Sequence, residues 1–115
     1  MAGVKLVVIY PRPTDIEHFE KIYMEEHIPM AIENLKGKTK IVTTKARDLP
    51  KEMPPFYRIA EIHFPSIEAL NARVTSQGAQ ETIAHAESIS TGGKPIFLVA
   101  EEEMLAFPEI TEAAA

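Results

Sequence analysis

The sequence contains no cysteine, so disulfides, thiolate zinc sites, iron–sulfur clusters and a cysteine nucleophile are all excluded. It also lacks an excess of positive charge, since 12 Lys and Arg residues stand against 17 Asp and Glu residues. The resulting net charge of −5 argues against a nucleic-acid partner, because nucleic acid is bound by a basic face.

Long apolar runs are missing as well, and none approaches the roughly 20 residues that a membrane-spanning helix needs. The first residues do not show the charged segment, apolar segment and cleavage site of a signal peptide. We therefore expect a cytoplasmic protein with no membrane partner. Gly92-Gly93 precedes a predicted strand rather than a helix, so the chain has no recognisable phosphate-binding loop.

Apolar residues make up 45% of the 115 residues, which suits a single globular domain with one core. We assign this domain to residues 1–103. Residues 101–115 are acidic and rich in alanine. The tail from residue 104 to 115 either extends the last strand, lies on a partner or is flexible.

Four segments are rich in β-branched residues and bounded by proline or glycine, which is typical of strands. They comprise residues 4–10, 38–47, 56–64 and 95–100. Helical periodicity lies between the first and second segments and between the third and fourth. This βαββαβ order predicts a ferredoxin-like α+β fold, with a four-stranded antiparallel sheet and helices on one face.

The ends of the first helix are marked by two signals. Thr14 and Glu17 have the spacing of a capping box, so the helix is expected to begin at Thr14. Pro29 is expected to kink or end it, because proline has no N–H and clashes with the carbonyl four residues earlier.

The second helical region is predicted to begin after Ser66, a residue type that caps helices. Gln77-Gly78 is expected to break this helix. A separate helical piece is then predicted over residues 82–89.

The predicted strands carry apolar residues on both faces. In the first strand, Leu6 and Val8 alternate with Val7 and Ile9. Strands of this kind are buried on both sides, yet two helices can cover only one face of the sheet. The simplest second cover is another copy of the same sheet, which predicts a homodimer through the sheet. A larger partner protein is the alternative.

Several segments of the chain resemble the EthD family. Tyr10-Pro11 follows the first strand, and a helix with Phe19 and Tyr23 leads into His27-Ile28-Pro29-Met30. A Ser66-Ile67-Glu68-Ala69-Leu70 segment then follows the third strand. The resemblance covers nearly the whole chain and implies a dimeric α+β barrel, in which two four-stranded sheets face each other.

The resemblance also implies a function class. The family is named after the degradation of ethyl tert-butyl ether, and the wider superfamily includes lactone isomerases, polyketide cyclases, cofactor-independent monooxygenases and haem-binding proteins. The implied ligand is a small apolar, aromatic or cyclic organic compound in a catabolic or secondary-metabolic pathway. The implied chemistry is proton transfer, isomerisation or cofactor-free oxidation in a pocket between helices and sheet.

His27 is the candidate catalytic acid or base, because an imidazole titrates near neutral pH. About 40° of helical rotation separates Tyr23 from His27, so both lie on one side of the helix. Glu26 falls near the centre of the apolar stripe, where a carboxylate needs a partner. The structural alternative is that His27 only bonds carbonyls freed by Pro29.

Tyr10, Tyr23, Tyr57 and His63 are the candidate substrate-binding residues. Tyr57, Glu61 and His63 alternate along the third strand and share one face. If that face meets the helices they line the cavity of His27, and if it meets a partner sheet they are interface residues. His85 is expected at the surface.

No metal site and no cofactor are predicted, although the sequence leaves a haem ligated by His27 open. Three classes of function therefore remain: an enzyme, a dimeric module that only binds a small ligand, and a structural dimer with a filled core. A cavity that touches His27 separates the first two from the third.

Overall fold

The chain forms one antiparallel sheet with helices packed on one of its faces, in a computed structural model that describes residues 3–108. The strands are β1 (Val4–Pro11), β2 (Lys40–Lys45), β3 (Phe56–Phe64) and β4 (Ile96–Glu101). The helices are α1 (Ile16–Ile22), α2 (Ile28–Asn34), α3 (Ile67–Val74) and α4 (Gln77–Ile89). A π-helical segment, Tyr23–His27, joins α1 to α2.

The sheet has the order β2-β3-β1-β4, and every neighbouring pair is antiparallel. The predicted ferredoxin-like α+β fold is therefore confirmed. Within residues 3–108, no helix combines the length and apolar character that a membrane crossing requires.

The two faces of the sheet have different surroundings. On the covered face, Leu6, Val8 and Tyr10 of β1 join Ala60 and Ile62 of β3 in the hydrophobic core beneath the helices. Because side chains alternate along a strand, the residues between them belong to the open face. Any pocket between sheet and helices is thus built on the covered face.

Pro29 was expected to kink or end the first helical region, and it does not end it, because helix continues to Asn34. The N–H of Ile28 bonds the carbonyl of Tyr23, five residues earlier, and this wider turn defines the π segment. Pro29 falls in the first turn of α2, where a missing N–H is tolerated. The proline therefore follows a local widening of the helix and does not stop it.

The predicted capping residue of the first helix is also wrong. Asp15, not Thr14, caps α1, and its carboxylate accepts a hydrogen bond from the N–H of His18 at 3.1 Å. The backbone N–H of Thr14 instead donates to the hydroxyl of Thr91. Ser66 caps α3 as predicted, by accepting from the N–H of Ala69.

Gln77-Gly78 does not break a helix, because it lies inside the first turn of α4. Ser76 caps this helix by accepting from the N–H of Ala79, so α4 begins five residues before the predicted position 82. A Cβ at Gly78 would lie 3.2 Å from the Cβ of Asn34. The glycine therefore lets α4 approach α2 closely.

The segment after β4 carries apolar side chains that face solvent. Met104, Leu105 and Phe107 are exposed and belong to no strand. Residues 109–115 lie outside the described residues, so the boundary at residue 103 and the role of the tail stay predictions.

Gly92 offers a test of the backbone contact that closes the α4–β4 connection. A Cβ there would lie 1.9 Å from the carbonyl oxygen of Arg12, so Gly92→Ala must push two backbone segments apart. We expect a loss of about 3 kcal/mol in the free energy of unfolding, measured by urea denaturation.

Gly37→Ala is the matched control, because Gly37 has a φ of 90° but open space around it. Its cost should be about 1 kcal/mol, from backbone strain alone. Equal losses in the two variants would contradict the proposed contact.

Candidate active site

His27 lies buried between a strand and a helix, and both of its ring nitrogens have partners. Its Nε2 is 3.1 Å from the hydroxyl of Tyr10 at the end of β1. Its Nδ1 is 2.9 Å from the Nδ1 of His85 in α4. The π segment thus carries a histidine that connects the sheet to the second helical region.

Aromatic rings hold His27 in place. The ring of Tyr23 stacks on His27 with centroids 5.8 Å apart, and Phe19 stacks on the other side of Tyr23 at 5.4 Å. Tyr10 meets Phe19 and Tyr23 edge to face. This packing leaves the imidazole few alternative orientations.

Burial sets the protonation states of this cluster. Burial, together with a smaller effect of the neighbouring His85, lowers the pKa of His27 to about 4. Burial also raises the pKa of Tyr23 to about 12 and that of Tyr10 still higher. At neutral pH the cluster therefore holds a neutral imidazole and protonated phenols.

A buried ion pair borders the cluster. The Arg58 guanidinium donates to both carboxylate oxygens of Glu20, at 2.9 and 2.6 Å, and lies 5.0 Å from the centre of the Tyr23 ring. Its hydrogen bond lowers the pKa of Glu20. Among residues 3–108, the Tyr23 hydroxyl has no hydrogen-bond partner.

A small apolar cavity lies beside His27, between the sheet and the helices. Its volume is about 30 Å³, and its polar lining residues are Tyr10, His27 and Thr82. Other lining residues are Leu6, Val8, Ala31, Ala60 and Ala86. The space suits one or two water molecules, whereas ligand pockets usually measure about 300–1,000 Å³. A ligand must therefore displace the helices or side chains that close it.

Tyr57 reaches the helix side of the sheet through an irregularity in β3. Tyr10 pairs with Arg58 and Pro11 with Phe56, so Tyr57 is an extra residue opposite β1. Its ring packs against Phe19 at 6.0 Å, and it does not line the cavity. Because of this bulge, Tyr57 and Arg58 both contact the first helical region, although neighbouring strand residues normally point to opposite faces.

His63 lies on the open face, which is the second of the two placements that the sequence left open. It pairs with Lys5 across the sheet, between the core residues Ile62 and Phe64. Its Nε2 is 3.4 Å from a carboxylate oxygen of Glu61. His63 is thus remote from the His27 cavity, and a role in substrate binding stays a prediction.

The side chains of Glu61, His63 and Glu102 are close enough to share a cation. The Lys5 ammonium already lies there, 2.8 Å from Glu61 and 3.3 Å from Glu102. This ammonium offsets one of the two carboxylate charges. A haem bound through His27 would also have to replace a hydrogen bond, because both ring nitrogens are engaged.

Two residues differ from their predicted positions on the helices. Glu26 is exposed and does not lie in the apolar stripe, because the π segment changes the helical phase just before His27. His85 was expected at the surface but contacts His27 and is only partly exposed. Its spacing of four residues from Ile89 is a sequence signal that could have indicated this placement.

The EthD domain profile matches residues 12–88 of this sequence. The chain belongs to the EthD family. This match confirms the resemblance that was based on Tyr10-Pro11 and the His27-Ile28-Pro29-Met30 segment.

Relatives of this EthD protein share modest identity over nearly their whole length. An uncharacterised 11.0 kDa protein from the thcB–thcC intergenic region of Rhodococcus erythropolis is 22% identical over 101 residues, covering 88% of this chain and 97% of that protein. An EthD family protein of Bacillus halodurans has a TM-score of 0.78 at 22% identity, covering 89% of this chain and 99% of that one.

Two further solved structures share the fold. SnoaB, a cofactor-independent oxygenase from Streptomyces nogalater, has a TM-score of 0.61 at 12% identity, covering 94% and 98% of the two chains. A dimeric ferredoxin-like protein of unknown function from Jannaschia sp. CCS1 has a TM-score of 0.59 at 17% identity, covering 90% and 100%.

The depressed pKa of His27 predicts a specific loss of stability in mild acid. Unfolded, the imidazole titrates near pH 6.5, whereas in the folded protein it titrates near pH 4. Between these values the unfolded state binds a proton that the folded state does not, so stability falls as the pH is lowered. We expect a loss of roughly 3 kcal/mol from this residue, measured by urea denaturation across the window.

His27→Gln should remove this slope, whereas His18→Gln, at an exposed histidine of α1, should retain it. The salt-bridged Glu20 and Glu61 have lowered pKa values and lose their contributions only below about pH 4.5, outside most of the window. An unchanged slope in His27→Gln would show that His27 is not buried as a neutral imidazole.

Proposed function

We propose that this EthD protein is an enzyme that binds a small apolar, aromatic or cyclic compound between sheet and helices, with His27 as the acid or base. The observation that carries this proposal is the position of His27. Its buried neutral imidazole borders an apolar cavity and bonds the Tyr10 hydroxyl at the same wall. A positioned imidazole next to a bound substrate is the usual arrangement for proton transfer.

The proposed reaction begins when the substrate loses a proton to the Tyr10–His27 pair. Removal of a proton from an acidic C–H or phenolic O–H yields an electron-rich ring, from which isomerisation or oxidation by O₂ can proceed. The fold is shared with SnoaB, which is described as a cofactor-independent oxygenase. That likeness supports the reaction class and leaves the substrate to experiment.

A module that binds a ligand without turnover is the second candidate. The volume of about 30 Å³ does not distinguish it from the enzyme, because in both cases an organic molecule enters only when the space opens. If the space never opens, the protein is instead a structural dimer with a filled core. The alanines at positions 31, 60 and 86 leave room for such opening, since their side chains fill little of the wall.

Solvent deuterium uptake distinguishes these candidates. We would incubate the protein in D₂O with a panel of cyclic ketones, lactones and phenols and follow deuterium incorporation by mass spectrometry. We expect uptake for a subset of the panel, and a decrease of about 10² or more in His27→Gln, because general acid–base groups contribute such factors.

His18→Gln is the matched control and should exchange at the wild-type rate. Ala31→Leu fills the cavity without touching the ring nitrogens of His27, so it should abolish both binding and exchange. Ligand binding by the wild type with no exchange, or equal exchange in His27→Gln, would favour the non-catalytic module.

We also infer that the protein is a homodimer through the open face of its sheet. Val42, Ile96 and Leu98 lie on this face and are 37%, 40% and 46% exposed. Together with Val7 and Ile9 they form an apolar surface that the chain's own helices do not cover. The Jannaschia protein of the same fold is described as dimeric, which supports this assembly.

Leu98→Glu should convert the dimer to a monomer, because it places a carboxylate in the apolar contact. Sedimentation equilibrium measures the change. Ile32→Glu is the matched control, since Ile32 is 53% exposed on α2, at the opposite side of the sheet. A monomeric wild type, or a dimeric Leu98→Glu protein, would contradict this assembly.

A further inference from the structure

The three side chains Tyr10, His27 and His85 form a continuous hydrogen-bond chain from the cavity wall to the surface. Tyr10 is completely buried, His27 lies next, and His85 has a side chain that is 20% exposed. The ring planes of the two histidines are inclined by only 14°, which allows an N–H of one ring to point at the other nitrogen in plane.

The direction of the hydrogen bonds between Tyr10, His27 and His85 follows from the number of protons that each side chain carries. A Tyr10 hydroxyl has one proton to donate, and among residues 3–108 its hydrogen-bond partner is Nε2 of His27. If that nitrogen accepts, the proton of a neutral His27 must be on Nδ1. That N–H then donates to Nδ1 of His85, whose own proton must be on Nε2.

The opposite direction leaves a buried donor unsatisfied. It would require Nε2–H of His27 to donate to the Tyr10 oxygen and Nδ1–H of His85 to donate to His27. Among residues 3–108, the hydroxyl proton of Tyr10 would then have no protein acceptor, because Nε2 of His27 is the partner that the structure gives this hydroxyl. Most buried donors in folded proteins do have a partner, which favours the first direction. Proton counting therefore selects one pair of tautomers.

At its outer end, at His85, the hydrogen-bond chain lies beside charged groups and water. Nε2 of His85 lies 3.9 Å from a carboxylate oxygen of the exposed Glu26. His85 also borders a surface cleft of about 340 Å³ that Asp15 and His18 help to line.

We propose that His85 is a proton relay through which the buried Tyr10–His27 pair exchanges protons with solvent. In one step, a substrate proton moves to the Tyr10 oxygen while the Tyr10 proton moves to Nε2 of His27. The Nδ1 proton of His27 moves to Nδ1 of His85, and the Nε2 proton of His85 leaves to water or Glu26. The substrate keeps the electron pair as an anion, and the three side chains stay neutral in their other tautomers.

The use of this relay in turnover rests on the proposed function of His27. The direction of its hydrogen bonds, and with it the tautomers of the two histidines, does not rest on that function. Long-range ¹H–¹⁵N correlation spectra of the ligand-free protein at neutral pH report the tautomers directly. We expect Nδ1–H for His27 and Nε2–H for His85. The opposite pair would overturn the proposal even if His27 proves catalytic.

Exchange of the His27 Nδ1 proton with water tests the relay itself. His85→Asn offers an acceptor of hydrogen bonds that cannot pass a proton on, so exchange should slow by about tenfold or more. His63→Asn is the matched control and should exchange like the wild type, because His63 lies on the open face of the sheet, away from the His27 cavity.

Chemical rescue separates a relay from a structural role. His85→Ala leaves space that opens to the cleft, so added imidazole should restore fast exchange in that variant and not in His85→Asn. Wild-type exchange rates in His85→Asn, or failure of imidazole to restore exchange in a folded His85→Ala protein, would overturn the relay. Neither outcome depends on the identity of a substrate.

Discussion

The two hydrogen bonds of the His27 ring join three parts of the protein that are distant in sequence. Tyr10 ends the central strand, His27 ends the π segment, and His85 lies in α4. Because polar atoms in an apolar core must be paired, these contacts restrict how the helices can sit on the sheet. The candidate active site is therefore also a structural junction.

The π segment makes this junction possible. Buried residues in the first helical region recur every fourth position, at Phe19, Tyr23, His27, Ala31 and Leu35. A regular α-helix has 3.6 residues per turn, so such a series would rotate away from the sheet. The wider turn at Tyr23–His27 corrects the phase, which keeps His27 inside and places Glu26 outside. Wider turns of this kind are frequent at functional sites.

Much of the fold could be predicted because it depends on local patterns. The β-branched segments and their spacing indicated the βαββαβ order, and Ser66 was recognised as a cap from its residue type. Errors arose where two local signals compete. Asp15 replaced its neighbour Thr14 as a cap, and the cap at Ser76 outweighed the helix-breaking tendency of Gly78. Such competitions are decided by the surrounding packing, which a single sequence does not display.

The sequence by itself determined the family, the fold class, and the candidacy of His27 with Tyr10 and Tyr23. These depend on residue type, on spacing within one helix, and on the position where a strand ends. Only the tertiary structure brought His85 to His27, moved Tyr57 through a bulge, and placed His63 on the opposite face of the sheet. The reason is physical: contacts between residues 58 positions apart, and the face that a strand residue occupies after a bulge, depend on packing between elements.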